Sequence, residues 1–199
     1  MKILIIGGSG TIGSKVAQHF QQDHEVITAN RNSGDYKVDI ADINSIVQLF
    51  NSIGIVDAII CAAGEAKWGN FNDLTEEDYH IGIQSKLMGQ VNLVRIGKNH
   101  LTSNGSITLT TSILADDPVL QTTSAAMVNG GIHSFVQAAA LELTNVRINA
   151  VSTGVIEDAY VKYQTYFPGH TPIPMNKMMM GYIRSVVGAG TGQVIRIYE

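Results

Sequence analysis

Ile3-Leu4-Ile5-Ile6 is a continuously apolar run, and Gly7-Gly8-Ser9-Gly10-Thr11-Ile12-Gly13 follows it directly. Ile12, Val16 and Phe20 then recur at helical spacing. Apolar residues without polar alternation predict a short strand buried on both faces. The glycines predict a turn too tight for side chains, leading straight into a helix. The segment satisfies G-x-G-x-x-G through Gly8, Gly10 and Gly13, and G-x-x-G-x-x-G through Gly7, Gly10 and Gly13. Such a turn lets backbone approach a pyrophosphate closely, and the free N–H groups of the helix start then meet the anion. Gly7, Ser9, Gly10, Thr11, Ile12 and Gly13 are the candidate contacts. A glycine-rich turn without a ligand is the plainer alternative; the position in the first strand–helix unit weighs against it.

The same alternation continues along the chain. Strands are expected at Glu25–Ala29, Val56–Cys61, Gly105–Thr111, Val146–Ser152 and Gln193–Tyr198. Helices are expected from the Ile43, Ile46, Val47, Phe50 stripe, from Thr75 to His100, and from Ser124 to Leu143. Thr75 and Asp78 have capping-box spacing at the start of the second of these. Strands alternating with helices predict an α/β fold with a three-layer, doubly wound parallel sheet of about seven strands, the Rossmann fold. No composition shift divides the chain, so residues 1–199 are expected to form one domain. Three of the four prolines fall in Phe167–Pro174, which must be an irregular loop over the ligand crevice.

Composition removes other classes. Thirteen basic residues against seventeen acidic ones leave a net charge of −4, unsuited to a phosphate backbone, so no nucleic-acid partner is expected. The single cysteine, Cys61, excludes an intramolecular disulfide and a Cys₂His₂ or Cys₄ zinc site. Asp116, Asp117 and Glu142 make no convincing metal set. No apolar stretch approaches the roughly 18 residues of a spanning helix, and no secretory signal is visible. A cytoplasmic location without a membrane partner is the expectation.

The end of the second strand should choose the cofactor. An acid there would hold a ribose 2′-OH and favour NAD. The chain instead has Ala29-Asn30-Arg31-Asn32-Ser33, with no acid before Asp35. Arg31, beside Asn30, can pair with a 2′-phosphate, which favours NADP. NAD is the alternative, with Arg31 then an ordinary surface residue.

Residues 1–156 together resemble the short-chain dehydrogenase/reductase family. The glycine turn looks like that family's. Cys61-Ala62-Ala63-Gly64 is similar to its Asn-Asn-Ala-Gly element, which lines the cofactor site, so Ala62, Ala63 and Gly64 are implied contacts. Asp39 matches the Asp that meets the adenine. Ala140-Leu141-Glu142-Leu143 and Arg147-Ile148-Asn149-Ala150-Val151-Ser152 resemble two further family segments, and Thr153-Gly154 stands where the family usually has Pro-Gly.

The family's chemistry uses a Tyr, a Lys four residues later and a Ser thirteen residues before the Tyr. Anchored on Ala140–Leu143, this register puts Ala125 at the Tyr, Asn129 at the Lys and Ser112 at the Ser. No tyrosine in the chain has a lysine four residues on. A methyl and an amide cannot replace a phenol and an ammonium in proton transfer. The chain therefore resembles atypical members that keep the cofactor fingerprint without the usual acid pair.

Ser112, with Thr110 and Thr111, is a candidate to bind a substrate oxygen. Lys86 is a candidate for the missing positive charge or acid, although a solvent-facing lysine is the favoured reading. Asn129 is a candidate to hydrogen-bond the nicotinamide ribose, or else an idle helix-surface residue. His133, one turn on, is more often a packed residue than an acid. Tyr160, Tyr163 and Tyr166 are expected in a flexible lid, and Met178-Met179-Met180 as filler. These residues predict an NADP(H)-dependent oxidoreductase acting on a small carbonyl or alcohol of unknown identity. The alternatives are an inactive dinucleotide-binding sensor or partner subunit, and a non-redox lyase or isomerase. The resemblance implies a homodimer or homotetramer paired through the long fourth and fifth helices, and the fifth carries Ala125, Ala126, Gly130, Gly131 and Ala138 to Ala140, small enough for close approach.

Overall fold

Ile3, Leu4, Ile5 and Ile6 are all buried in a computed structural model that describes residues 1–199. They belong to β1 (Lys2–Ile6), the third strand of a seven-stranded sheet. The other strands are β2 (Glu25–Asn30), β3 (Tyr36–Lys37), β4 (Val56–Cys61), β5 (Leu101–Ser112), β6 (Arg147–Thr153) and β7 (Val194–Ile197). All pairs are parallel, in the order β3-β2-β1-β4-β5-β6-β7. The order reverses beside β1, and the crevice of a doubly wound sheet lies at that reversal.

Alternate residues of β1 serve opposite layers. Leu4 and Ile6 join one core with α2 (Ile43–Ile53), α4 (Gly89–Gly97) and α5 (Thr123–Glu142). Ile3 and Ile5 join a second core with α1 (Thr11–Phe20) and α7 (Met175–Val187). Burial on both faces explains why the strand carries no polar residue between Ile3 and Ile6.

Three features depart from the sequence reading. The helix expected from Thr75 to His100 is one helical run, but its middle is a π turn. It comprises α3 (Glu76–Gly82), the π turn Ile83–Met88, α4 and a 3₁₀ turn to His100. Its start carries the predicted reciprocal cap between Thr75 and Asp78. The widened turn lies between two close approaches: a Cβ on Gly82 would stand 3.3 Å from Ala66, and one on Gly89 would stand 3.0 Å from Ile40. Second, the expected lid contains α6 (Glu157–Tyr163) and a 3₁₀ turn, Gln164–Tyr166. Third, only two of the three methionines expected as filler, Met178 and Met179, are buried on α7, whereas Met180 is exposed. The irregular part of this region is the proline-rich loop before α7, as expected. No helix is long and apolar enough to cross a membrane.

Candidate active site

The glycines of the first turn do different jobs. Gly7 has φ +87°, and a Cβ on it would lie 2.7 Å from the Ala62 carbonyl carbon. The turns after β1 and β4 therefore touch backbone to backbone, which only glycine permits. A Cβ on Gly13 would lie 2.1 Å from the Gly7 oxygen, so this position closes the turn on itself. Gly10 differs. A Cβ there would meet only the Gly7 oxygen, at 3.4 Å, and its outer side is open. Gly10 precedes α1 with no side chain capping it and no acid in the first turn. The free N–H groups of the helix start thus form a cradle with room for an anion. Ser9 N–H donates to Asn30 Oδ1 at 2.9 Å, tying the turn to the end of β2.

A cavity of about 290 Å³ opens beside this cradle. Its lining brings together Gly7, Ser9, Gly10, Asn30, Arg31, Asp39, Ala62, Ala63 and Gly64, drawn from four loops. Ser85 stands in the same wall, as does Glu65, which sequence reasoning missed. Arg31 sits at the rim between two carboxylates, 3.3 Å from Glu65 and 3.6 Å from Asp39. Glu65 directly follows Gly64, so its nearness to the cleft was open to inference from the Ala-Ala-Gly element.

A second cavity, of about 420 Å³, continues across the carboxyl ends of β4, β5 and β6. Ala62 and Gly64 line both, which joins them into one cleft. Thr11, Ile12, Ser112, Thr153 and Gly154 line the second cavity, as do Thr110 and Thr111. Ser112 Oγ accepts from Leu114 N–H at 3.1 Å, leaving its own hydrogen free to donate.

Lys86 also lines this cavity, which overturns the solvent-facing reading. The π turn lies against Gly64 (φ +119°), where a Cβ would stand 2.9 Å from Lys86 Cα. Lys86 Nζ donates to Thr110 O at 3.1 Å. Burial holds its pKa below the ordinary lysine value, and the nearby Cys61 thiol offsets this only in part. Burial likewise pushes the Cys61 thiol up, to about 11. Gln90, one helical turn on, donates to Ala63 O at 3.1 Å and Thr110 O at 3.2 Å.

Ala125 is buried in an apolar cluster with Ile113, Leu114 and Phe167. Asn129 is buried and is not among the residues that line the cavity. Its Nδ2 donates to Ala125 O at 2.7 Å, because the short amide folds back on its own helix, and its Oδ1 has no partner. His133 is packed rather than exposed, with Nε2 2.9 Å from Thr111 Oγ1, and burial lowers its pKa. Of the lid tyrosines, Tyr163 lines the cavity and Tyr166 packs on Trp68. A wider groove of about 1160 Å³ runs alongside, between Asn70–Phe71, the 117–122 loop with the start of α5, and Thr165–His170. It contains neither the glycine turn nor Ser112, so the chemistry belongs to the smaller cleft.

The layout matches known proteins. The family model described as enoyl-(acyl carrier protein) reductase matches residues 10–179. Elsinochrome reductase 1 of Elsinoe fawcettii is 25% identical over 183 residues, covering 78% of this chain and 68% of that protein. The crystal structure of the protein lin1944 from Listeria innocua is 45% identical, with a TM-score of 0.97 over all of both chains. A small-chain dehydrogenase solved in complex with NADPH is 28% identical, with a TM-score of 0.87, covering 99% of this chain and 96% of that one. With a family match spanning most of its length and near-complete superposition on such structures, the chain belongs to the short-chain dehydrogenase/reductase family.

Proposed function

We propose that this chain is an NADP(H)-dependent reductase of small carbonyl compounds whose proton donor is Lys86 rather than a tyrosine. The observation that carries the reading is the Lys86 amine in the same cavity as Ser112. The acid pair usual in the family is replaced by a buried methyl at Ala125 and an amide turned back on its helix at Asn129.

The anion cradle at Gly10, the backbone contact at Gly7 and the joined cavities fit a dinucleotide. The NADPH complex of the similar small-chain dehydrogenase supports the phosphorylated form. Arg31 is the cation available to the 2′-phosphate, with Asn30 beside it. Thr153 and Gly154 border the far end of the cleft.

NADPH, held along the glycine turn with Arg31 at its 2′-phosphate, would supply the hydride that reduces the carbonyl carbon. Ser112 Oγ–H donates to the carbonyl oxygen and orients it. The Lys86 ammonium gives that oxygen a proton, forming O–H as the C=O π bond breaks, and the neutral amine regains a proton from solvent. A lysine acid works near neutral pH only if its pKa is depressed, and burial supplies that depression.

The buried Ala125 favours a second reading, a dinucleotide-binding protein without hydride chemistry. One experiment separates the two: titration with NADPH and NADH, followed by initial rates on a panel of aldehydes and ketones at the nicotinamide absorbance. Tight NADPH binding with turnover that depends on Lys86 is the expected result. Binding without turnover on any carbonyl supports the second reading, and no binding of either dinucleotide removes both.

A further inference from the structure

We infer that the substrate is a compound with a single aromatic ring bearing the reacting carbonyl, held with its ring against Trp68. This rests on the reductase reading above.

The cavity lining combines polar and aromatic side chains. Lys86, Thr110 and Ser112 supply polar groups on or against the carboxyl end of β5. Trp68, Tyr163 and Phe167 supply an aromatic wall. Trp68 is the hub of this wall. Its ring centroid lies 5.4 Å from Tyr163 at 41°, 5.5 Å from Tyr166 at 88°, and 6.4 Å from Phe167 at 51°. Tilted and edge-on pairs at these distances are the favourable aromatic arrangements. The wall is tied down: Gly69 N–H, next to Trp68, donates to Gln121 O at 3.0 Å.

Three observations narrow the ligand. An aromatic wall gains quadrupole attraction from a flat ring that it does not gain from a saturated one. No carboxylate lines the cavity, so a cationic substrate would have no counter-ion and would face the Lys86 amine. The volume of about 420 Å³ is at the small end of the usual range of about 300–1,000 Å³ for ligand pockets, and the nicotinamide ring must share it. With the nicotinamide in the same space, the remaining room favours one ring over a fused ring system.

The test uses alcohols, the product class, because NADPH with an alcohol cannot react and binding alone is read. Benzyl alcohol, cyclohexylmethanol and 2-naphthalenemethanol are titrated calorimetrically into the NADPH complex and into the cofactor-free protein. Benzyl alcohol is expected to bind about 3–10-fold tighter than cyclohexylmethanol, although the saturated ring is the more hydrophobic of the two. In the NADPH complex, 2-naphthalenemethanol is expected to bind weakest. Trp68→Leu should bring the benzyl-to-cyclohexyl ratio towards one. Tyr163→Leu, on the partly exposed α6, should lower the same ratio and covers the case in which the Trp68 variant does not fold. Equal or tighter binding of cyclohexylmethanol overturns the aromatic assignment, and tightest binding of the naphthyl compound overturns the single-ring limit. Failure of NADPH itself to bind counts against the reductase reading, whereas the titration of the cofactor-free protein still reads the ring preference.

Discussion

Replacing Lys86 by methionine should lower activity and raise stability together, a combination that a merely structural lysine would not give. In the parent, Lys86 Nζ has one protein acceptor, Thr110 O, and forms no ion pair with a carboxylate. Methionine is unbranched and adaptable enough to fill the same channel. Its cost is the lost hydrogen bond, about 1–2 kcal/mol. Thr110 O is not orphaned, because Gln90 Nε2 still donates to it at 3.2 Å. The gain is relief of the buried charge, about 1.4 kcal/mol for each unit by which the lysine pKa is depressed. The melting temperature should rise by about 2–4 °C per net kcal/mol in a chain of this size. The pH dependence has a definite sign. The folded pKa lies below the ordinary lysine value of 10.5, so between the two the unfolded chain binds more protons. Parent stability therefore increases as pH rises through that window, and the variant's advantage shrinks towards pH 10.5. Reductase rates should fall about 10²–10⁴-fold, the usual contribution of a positioned acid. Thermal melts at pH 7 and pH 10 with initial rates test this. A variant that keeps its rate within twofold, or that loses several kcal/mol of stability, refutes the reasoning.

The glycine turn gives a paired prediction. Gly10→Val should fold, since its Cβ meets only Gly7 O at 3.4 Å, yet abolish NADPH binding in calorimetry. Gly13→Ala should lower the melting temperature, because its Cβ would be 2.1 Å from Gly7 O and overpacking typically costs about 1–3 kcal/mol. Arg31→Ala should weaken NADPH about tenfold or more while leaving NADH nearly unchanged, since a charge-assisted hydrogen bond is worth about 1.5–3 kcal/mol; an unchanged affinity ratio removes Arg31 from cofactor choice. Ala125→Tyr with Asn129→Lys should melt lower and gain no activity, because the ring would enter the cluster of Ile113, Leu114 and Phe167 and the amine would be buried; faster turnover would show that the site needs only its usual acid. We also propose that copies pair through α5, which exposes Met127 and Leu141; a monomer by light scattering at micromolar concentration would count against it.

The sequence by itself determined the layers and the cofactor half of the cleft. Both signals are local. Two-faced burial leaves an unbroken apolar run, and a turn in contact with a neighbouring backbone leaves glycines at fixed spacing. Gly7, Gly10 and Gly13 were legible for that reason, and so were Thr75 and Asp78, which cap one another within a single turn of helix. Helix α7 was less legible: Met178 and Met179 are core residues, but the preceding prolines and the mixed sequence around them mask the period. Only the tertiary structure decided the rest. Whether Lys86 faced solvent or the cleft depended on a π turn, which sequence spacing does not announce, and on Gly64 letting that turn come close. The fate of Asn129 depended on whether an amide reaches out or folds back to Ala125 O. Trp68 belongs to the cavity wall only because α6 and the turn after it bring Tyr163 and Tyr166 across roughly a hundred residues of chain. Long-range packing set these three side-chain environments, and no short-range pattern encodes them.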